Sequence, residues 1–171
     1  MVCLAPPPGF FLTVHSMLKA KKILLASHGT PGGRAAERMA FSLCRAGSHL
    51  THLIVVPDFW KGMMGDDWLN NASTRDIFAN YVESQLEREV RKHIRRMMRE
   101  TSRRKIRYDF DVVIGKPGEC LVACAKKGRF DLIVMGSKRP KGKTGYRSHM
   151  LDEKLFRSLR APVMIAPYPH G

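Results

Sequence analysis

Short apolar runs alternate with longer amphipathic stretches along most of this chain. A continuous apolar run bounded by glycine, proline or polar residues is typical of a strand that is covered on both faces. Segments with apolar residues at helical spacing separate these runs. The predicted strands lie at residues 21–27, 50–57, 130–136 and 162–168, with one more beginning at Tyr108, and the predicted helices lie at 31–46, 73–98, 117–128 and 151–160.

This order of strands and helices predicts an α/β fold. Parallel strands that follow one another through a helix are joined by right-handed crossovers, which place helices on both faces of one sheet. We therefore expect a five-stranded, open, parallel and doubly wound sheet of Rossmann-like type. The chain of 171 residues has room for one such domain over residues 21–171. Residues 1–20 are expected to be a poorly ordered N-terminal extension, and residues 58–72 a long loop.

Two of the helices have a predicted core face. Ala35, Met39 and Leu43 follow one another at helical spacing in the first helix. The long helix is expected to begin at Ser73, and its apolar stripe runs as far as Met98. We interpret the methionines of this stripe as core residues, because methionine fills irregular gaps between packed side chains.

The chain is strongly basic, with 30 lysines and arginines against 15 acidic residues and a formal net charge of +15. Much of the excess lies in residues 86–107, and most of the rest lies in residues 138–147. An acidic partner such as nucleic acid fits this charge. A solvated helix face and an exposed loop would carry the same charge, and no zinc finger, helix-turn-helix or RNP-type aromatic motif favours nucleic acid.

The four cysteines, Cys3, Cys44, Cys120 and Cys124, are expected to be reduced thiols in a cytoplasmic protein, since no secretory signal is recognised before them. Cys120 and Cys124 are four residues apart in a predicted helix, but no second Cys or His pair accompanies them. We interpret them as buried small residues and predict no metal site. No apolar run reaches the roughly 18 residues that a membrane-spanning helix needs.

The basic loop contains Gly142-Lys143-Thr144, which resembles the end of a phosphate-binding Walker A loop. That motif needs a glycine five residues before Gly142, and Ser137 occupies this position. The following helix is also predicted to start only near Met150, whereas a true phosphate loop leads directly into its helix. The sequence therefore does not predict a P-loop. No nucleophile elbow or pair of carboxylates at a strand end is present either, so an enzyme is not expected.

Three segments of the chain resemble the universal stress protein family. These are KKILLASHGTPGGRAAERMA, VIGKPGECLVACAKKGRFDLIVMGS and LDEKLFRSLRAPVMIAP, which carry a resemblance that runs from Lys21 to Pro167. The second and third segments have a specific pattern, with a glycine after the third strand, Pro117 opening a helix and Gly136-Ser137 ending the fourth strand. The resemblance implies the family's five-stranded α/β fold, which is also that of adenine nucleotide alpha hydrolases.

Many members of the family bind ATP through an aspartate after the first strand and a motif G-x2-G-x9-G-S/T after the fourth. Here the aspartate position holds His28, followed by Gly29 and Thr30, and Val55 is a further position that the resemblance assigns to the nucleotide. Gly136 and Ser137 match the start of the motif. The resemblance therefore predicts a degenerate ATP site, because the remaining motif positions hold Arg139, His149 and Met150.

Positive charge offers another way to hold a phosphate in this loop. Lysine and arginine side chains bind phosphate oxygens by charge and hydrogen bonding, without requiring glycine. Lys138, Arg139 and Lys143, with Gly142 between them in the loop, are the residues of this alternative ATP or AMP site.

Family members often form homodimers by pairing their last strands, and the corresponding residues here are Val163, Met164, Ile165 and Ala166. The resemblance thus implies a dimeric stress-response regulatory protein. Two alternatives stay open: an ATP- or AMP-binding protein that uses the basic loop, and an electrostatic binder of nucleic acid that uses the residue 88–107 region.

Overall fold

A computed structural model of the chain describes residues 20–27, 30–56, 72–138, 140 and 153–169, with the side chains of 72–86 and 153–155 left out of the description. Strands and helices alternate throughout, as expected. The elements are β1 (Lys22–Ala26), α1 (Pro31–Leu43), β2 (His49–Val56), α2 (Ala72–Arg103), β3 (Arg107–Ile114), α3 (Pro117–Lys127), β4 (Leu132–Gly136), α4 (Glu153–Ser158) and β5 (Val163–Ala166).

The five strands form one parallel sheet in the order β3-β2-β1-β4-β5. Strand β1 is central and pairs with β2 from Lys22 opposite His49 to Ala26 opposite Leu53. On its other side, β1 pairs with β4, so the strand order reverses between these two neighbours. The α/β fold class and the doubly wound parallel sheet are confirmed.

Each face of the sheet is covered by a separate layer. Ile23 and Leu25 of β1 point towards α1 and α2, where they pack with Ala36, Ala40 and Met97. The alternate residues of β1 point to the opposite face, because successive side chains of a strand project to opposite sides. That second cluster, on the α3 side, contains Leu24, Ala26, Leu53, Val55, Leu121, Ile133 and Met135.

Two predicted core stripes differ in detail from those observed. In α1 the buried residues include Ala36, Ala40 and Phe41, whereas Ala35, Met39 and Leu43 are only partly buried at the edge of the same cluster. The whole stripe is therefore rotated by one residue, about 100° around the helix axis. In α2 Met97 is fully buried, but its neighbour Met98 is 50% exposed, so the predicted stripe extends one residue too far.

Several element boundaries are also shifted from their predicted positions. The last helix ends at Ser158, two residues earlier than expected, and β2 begins and ends one residue earlier than expected. Of the predicted loop at residues 58–72, only Ala72 is described, and it belongs to α2. Of the predicted N-terminal extension at residues 1–20, only Ala20 is described, and it is buried in the core. Among the helices that the structure describes, none combines the length and the apolar character that crossing a membrane requires.

Candidate ligand site at the carboxyl ends of the strands

The crevice between β1 and β4 is where a sheet of this topology is open to a ligand. In doubly wound sheets the helices that follow neighbouring strands leave on opposite faces at the point where strand order reverses, and ligands bind there. Here α1 follows β1 directly, and its first turn lies beside the carboxyl end of β4. The position is the one that the sequence predicted for a ligand.

The first turn of α1 is built by a cap and a proline. Thr30 is the N-cap, and its Oγ1 accepts a hydrogen bond of 3.2 Å from the backbone N–H of Gly33. Pro31 follows at the first helical position, where its missing N–H costs nothing. The hydroxyl of Thr30, one of the predicted nucleotide contacts, is thus engaged in starting the helix.

Gly136 lies in direct contact with this first turn. A Cβ atom added at Gly136 would stand 2.4 Å from the carbonyl oxygen of Gly32 and 3.1 Å from the backbone nitrogen of Gly33. Both contacts are with backbone, which has no flexible end that could move away. Glycine is therefore required at the end of β4 for the close packing of α1 on the sheet.

Ser137 and Lys138 continue from β4 at the same edge. The backbone N–H of Ser137 donates to the carbonyl of Ala166 at 2.8 Å, which extends the pairing of β4 with β5. Its Oγ is buried and has no hydrogen-bond partner within the described part of the chain. Lys138 is exposed.

The other predicted nucleotide contacts divide into two groups. The side chain of Val55 is 3% exposed and packs in the cluster on the α3 side, and its contact with a nucleotide stays a prediction. The remaining predicted contacts lie outside the described residues, namely His28, Gly29, Arg139, Gly142, Lys143, His149 and Met150. For these the assignment stays a prediction.

A cluster of polar side chains that sequence reasoning missed lies beneath this crevice, between the sheet and helices α1 and α2. Glu37 of α1 is its centre and is only 1% exposed. The hydroxyl of Ser27, just after β1, donates to Glu37 Oε1 at 2.7 Å. We refer to Ser27, Glu37, His52, His93, Arg96 and Tyr108 as the Glu37 cluster.

Two residues of α2 contact the carboxylate of Glu37. His93 Nε2 lies 2.8 Å from Glu37 Oε1, without the alignment of a hydrogen bond. Arg96 donates from Nη2 to the other carboxylate oxygen, Oε2. Burial by itself would raise the pKa of Glu37, but the contacts with His93, Ser27 and Arg96 outweigh it and lower the pKa from 4.5 to about 2. Glu37 is therefore a buried carboxylate anion.

His52 joins the cluster from the middle of β2. Its Nε2 lies 3.2 Å from the carbonyl oxygen of Ser27, which can only accept, so Nε2 carries the proton. Nδ1 is then the acceptor for the hydroxyl of Tyr108 at 2.8 Å. Burial, reinforced by the charge of His93, lowers the pKa of His52 from 6.5 to about 4, which agrees with a neutral ring. Burial also raises the pKa of Tyr108.

The reactive side chains of the Glu37 cluster are not accessible to a substrate. The cluster contains a serine, two histidines and a glutamate, but the Ser27 hydroxyl donates to the carboxylate and not to a histidine base. Ser27, Glu37 and His52 are each at most 2% exposed. The cluster therefore ties α1 and α2 to β1 and β2 and offers no accessible nucleophile.

The sequence profile of the universal stress protein family matches residues 19–167, which is most of the chain. The chain belongs to the universal stress protein family. A search of curated protein sequences finds no match to it.

Solved structures of low sequence identity share the fold of this universal stress protein. Hypothetical protein MJ0577 is 17% identical with a TM-score of 0.66, over 88% of this chain and 98% of its own. The universal stress protein UspA from Lactobacillus plantarum is 15% identical with a TM-score of 0.60, over 85% and 97%. A universal stress protein in complex with cAMP is 15% identical with a TM-score of 0.55, over 88% and 99%.

The last strand of this universal stress protein lies at one edge of the sheet. Strand β5 pairs with β4 on one side, from Ile133 opposite Val163 to Gly136 opposite Ala166. Ile165 is 40% exposed, whereas Ala166 is buried. The position of β5 leaves its outer edge without a neighbouring strand among the described residues, which is the position that the predicted dimer would use.

Proposed function

We propose that this universal stress protein is a non-catalytic regulatory protein of the cytoplasm, which acts as a homodimer and does not hold ATP in the family's usual manner. The observation that carries this proposal is the contact between Gly136 and the first turn of α1. Gly136 is the one ATP-motif glycine that this sequence keeps under ungapped counting. Because the packing of α1 requires it, its presence is no sign of a nucleotide site.

A stability measurement without ligand tests this reasoning. Replacing Gly136 with alanine should lower the free energy of unfolding by about 1–3 kcal/mol, because the added methyl group overlaps the α1 backbone. Gly47→Ala is the control. A Cβ atom added at Gly47 would have no atom within 4 Å, so its only strain would come from the backbone φ of 85°. An unchanged stability in Gly136→Ala would return Gly136 to the role of a nucleotide-binding glycine.

The non-catalytic part of the proposal is supported by the Glu37 cluster. Among the described residues, its serine and histidines most resemble the residues of a hydrolase triad. Ser27 and His52 are buried, the Ser27 hydroxyl donates to Glu37, and His52 contacts the carbonyl oxygen of Ser27. A catalytic set must present its nucleophile to a substrate. Cys44 and Cys124 are free thiols, which supports a reducing compartment.

The homodimer is supported by the edge position of β5. Two such edges can pair across a two-fold axis and continue the sheet. In sedimentation velocity at micromolar concentration we expect a dimer, and Ile165→Lys should dissociate it because a lysine would stand at the new interface. Phe110→Lys, at a 44% exposed position on the opposite edge strand, is the matched control and should remain dimeric. A wild-type monomer would overturn this part of the proposal.

A nucleotide-binding function is the second candidate, and the uncommitted Ser137 hydroxyl favours it. Its Oγ is buried at the expected motif position, and Lys138 follows it directly. A fold neighbour was solved in complex with cAMP, which supports a nucleotide as the class of ligand. Isothermal titration with ATP and with AMP at physiological salt decides between the candidates, once the absorbance ratio shows the protein to be free of nucleotide.

Each outcome of the titration has a clear meaning. No heat with either nucleotide supports the proposed function. Saturable binding at about one site per chain, lost when Lys138 and Lys143 are both replaced by alanine, would establish a nucleotide sensor that holds phosphate by charge. Ser137→Ala is the matched probe of the hydroxyl, since it leaves both lysines in place.

A further inference from the structure

The outward face of α2 carries a continuous stripe of positive charge. Residues 87–107 contain ten lysines and arginines against three glutamates. We propose that the stripe formed by Arg88, Lys92, Arg95 and Arg99 is a binding surface for the phosphate backbone of double-stranded nucleic acid. We refer to these four residues as the α2 stripe. The proposal goes beyond the regulatory function above and does not depend on dimerisation or on nucleotide binding.

The helical geometry places the α2 stripe opposite the core. At about 100° per residue, Arg88, Lys92, Arg95 and Arg99 fall within a sector of roughly 60° on the helix surface. Ile94 and Met97, which are buried against the sheet, lie on the opposite side of the helix. All four stripe residues are exposed. Their charges therefore point away from the protein in one direction.

Two of the three glutamates of this region pair with cations outside the stripe. Glu87 pairs with Arg91 at 2.5 Å, and Glu100 pairs with Arg103 at 3.4 Å. Arg96 is held by buried Glu37. Among the ion pairs of the described residues, none involves Lys92, Arg95 or Arg99. These three stripe residues thus keep charges that no ion pair of the described residues uses.

The dimensions of the stripe suit a duplex. From Arg88 to Arg99 it extends about 16 Å, at 1.5 Å per residue. One strand of a DNA duplex carries a phosphate for every 3.4 Å or so of axis, so the stripe spans roughly five phosphates of one strand. With Arg91 and Met98, the four side chains border an open cavity of about 580 Å³ that can receive part of a backbone.

The described side chains around the stripe favour a duplex over a single strand. Proteins that bind single strands combine basic residues with aromatic side chains on which the bases stack. Among the side chains that the structure describes, those lining the cavity at the stripe are arginine, lysine and methionine. Contacts of this kind read phosphate positions and not bases, so we expect binding with little sequence preference.

Fluorescence anisotropy of a labelled 20-base-pair DNA duplex, titrated with the full chain from 50 to 200 mM NaCl, tests the proposal. Four phosphate contacts predict a slope of log K against log salt of about −3.6, which is roughly a 150-fold loss of affinity over this range. The variant Arg88→Gln, Lys92→Gln, Arg95→Gln, Arg99→Gln should lose at least about tenfold in affinity at 100 mM NaCl, with a slope closer to zero.

A charge-matched control separates the α2 stripe from the high net charge of the whole protein. Lys126, Lys127, Arg129 and Arg160 are exposed residues beside the carboxyl end of α3, which covers the opposite face of the sheet from α2. Replacing all four with glutamine removes the same four charges and should change the affinity by less than about threefold. A third variant, Arg88→Lys, Arg95→Lys, Arg99→Lys, keeps the charge and should keep the salt slope.

Several results would overturn the proposal. Equal losses in the stripe variant and the control variant would mean that net charge alone attracts DNA. A flat salt dependence in the wild type would exclude phosphate contacts. Tighter, stripe-dependent binding to vesicles of phosphatidylserine and phosphatidylcholine than to the duplex would assign the surface to a membrane. Thermal unfolding followed by circular dichroism should be the same for all variants, since the stripe faces solvent.

Discussion

The two layers that cover this sheet are built on different principles. The layer on the α3 side is apolar, with Leu24, Leu53 and Leu121 packed together. The layer on the α1 and α2 side has an apolar cluster of similar kind, but it also encloses the Glu37 cluster. The same five strands support both layers. The comparison shows what a buried charge adds to a core that apolar side chains could fill alone.

The two layers differ in how strictly their interactions fix the positions of the helices. Apolar burial is roughly proportional to area and accepts several arrangements of similar volume. Hydrogen bonds and ion pairs fix both distance and angle. Glu37 has partners on α2 and at the end of β1, so a shift of either helix along the sheet would leave a charge unpaired. We therefore expect the α1 and α2 layer to respond to substitutions and to pH in ways that the α3 layer does not.

The largest effect is expected from Glu37→Ala. The substitution leaves Arg96 and the Ser27 hydroxyl without their buried partner, and breaking a buried pair from one side typically costs about 3–5 kcal/mol. We expect a loss of about 4 kcal/mol in the free energy of unfolding, measured by urea denaturation at pH 7. Glu37→Gln keeps the shape and one acceptor oxygen and should lose less. A stability equal to that of the wild type would show that the cluster adds no net stabilisation.

Leu121→Ala tests the apolar layer. Leu121 is fully buried between α3 and the sheet, and truncation of such a residue costs about 2–5 kcal/mol through lost burial and the cavity left behind. We expect about 3 kcal/mol, and the same value at pH 4.5 and pH 7, since no titrating group of the Glu37 cluster contacts this residue. A strongly pH-dependent loss would break the distinction between the two layers.

The pH dependence of stability should come from the Glu37 cluster. The folded pKa of Glu37 is about 2 against 4.5 for the ordinary group. A lowered acid pKa gives stability that is present above pH 4.5 and is lost as pH falls towards 2. Between pH 6 and pH 3 this loss should reach about 2 kcal/mol, taking 1.36 kcal/mol per pKa unit.

Comparison of the wild type with Glu37→Gln isolates this contribution. His52, with its pKa lowered from 6.5 to about 4, is neutral in the folded protein, so its protonation in the unfolded chain reduces stability between pH 6.5 and pH 4. That loss occurs in both proteins. The two urea-denaturation curves should therefore converge mainly below pH 4.5, and parallel curves down to pH 3 would contradict an ionised Glu37.

The smallest effect is expected from Tyr108→Phe. The change removes the hydroxyl that donates to His52 Nδ1 at 2.8 Å and leaves a buried acceptor unpaired. We expect a loss of about 1 kcal/mol in the free energy of unfolding. Phe110→Leu, on the same strand and face but exposed, is the matched aromatic control and should cost less. A gain in stability would mean that the hydrogen bond from Tyr108 to His52 adds no net stabilisation.

Much of the fold followed from local pattern. Strand β4 has no polar side chain and β1 has none after Lys22, and such runs indicate a parallel strand between two layers whatever its partners are. Pro31 and Pro117 open their helices where expected, and Gly128 ends α3. The apolar stripe of α1 was predicted one residue away from its true position. Ala35 and Ala36 are equally apolar in the sequence, and only the packing shows that Ala36 is the buried one.

The candidate site was predicted in part. Gly136 and Ser137 were placed at the end of β4 by family resemblance, and the structure adds that packing against Gly32 requires a glycine there. The Glu37 cluster was missed because its members are single polar residues in separate elements. Two signals could have pointed to it: His52 interrupts the apolar run of β2, and Glu37 stands between Ala36 and Ala40 on the core face of α1.

The order of residues is sufficient to specify the alternating strands and helices, the charge of α2 and the family, since each depends on neighbours within a few turns or on a motif read in sequence. The Glu37 cluster depends instead on residues from Ser27 to Tyr108 meeting in one buried volume. The ionisation of Glu37 and the tautomer of His52 arise only in that cluster. The need for glycine at position 136 arises only from its contact with the first turn of α1. Desolvation and backbone contact are properties of the folded interior, which no local pattern contains.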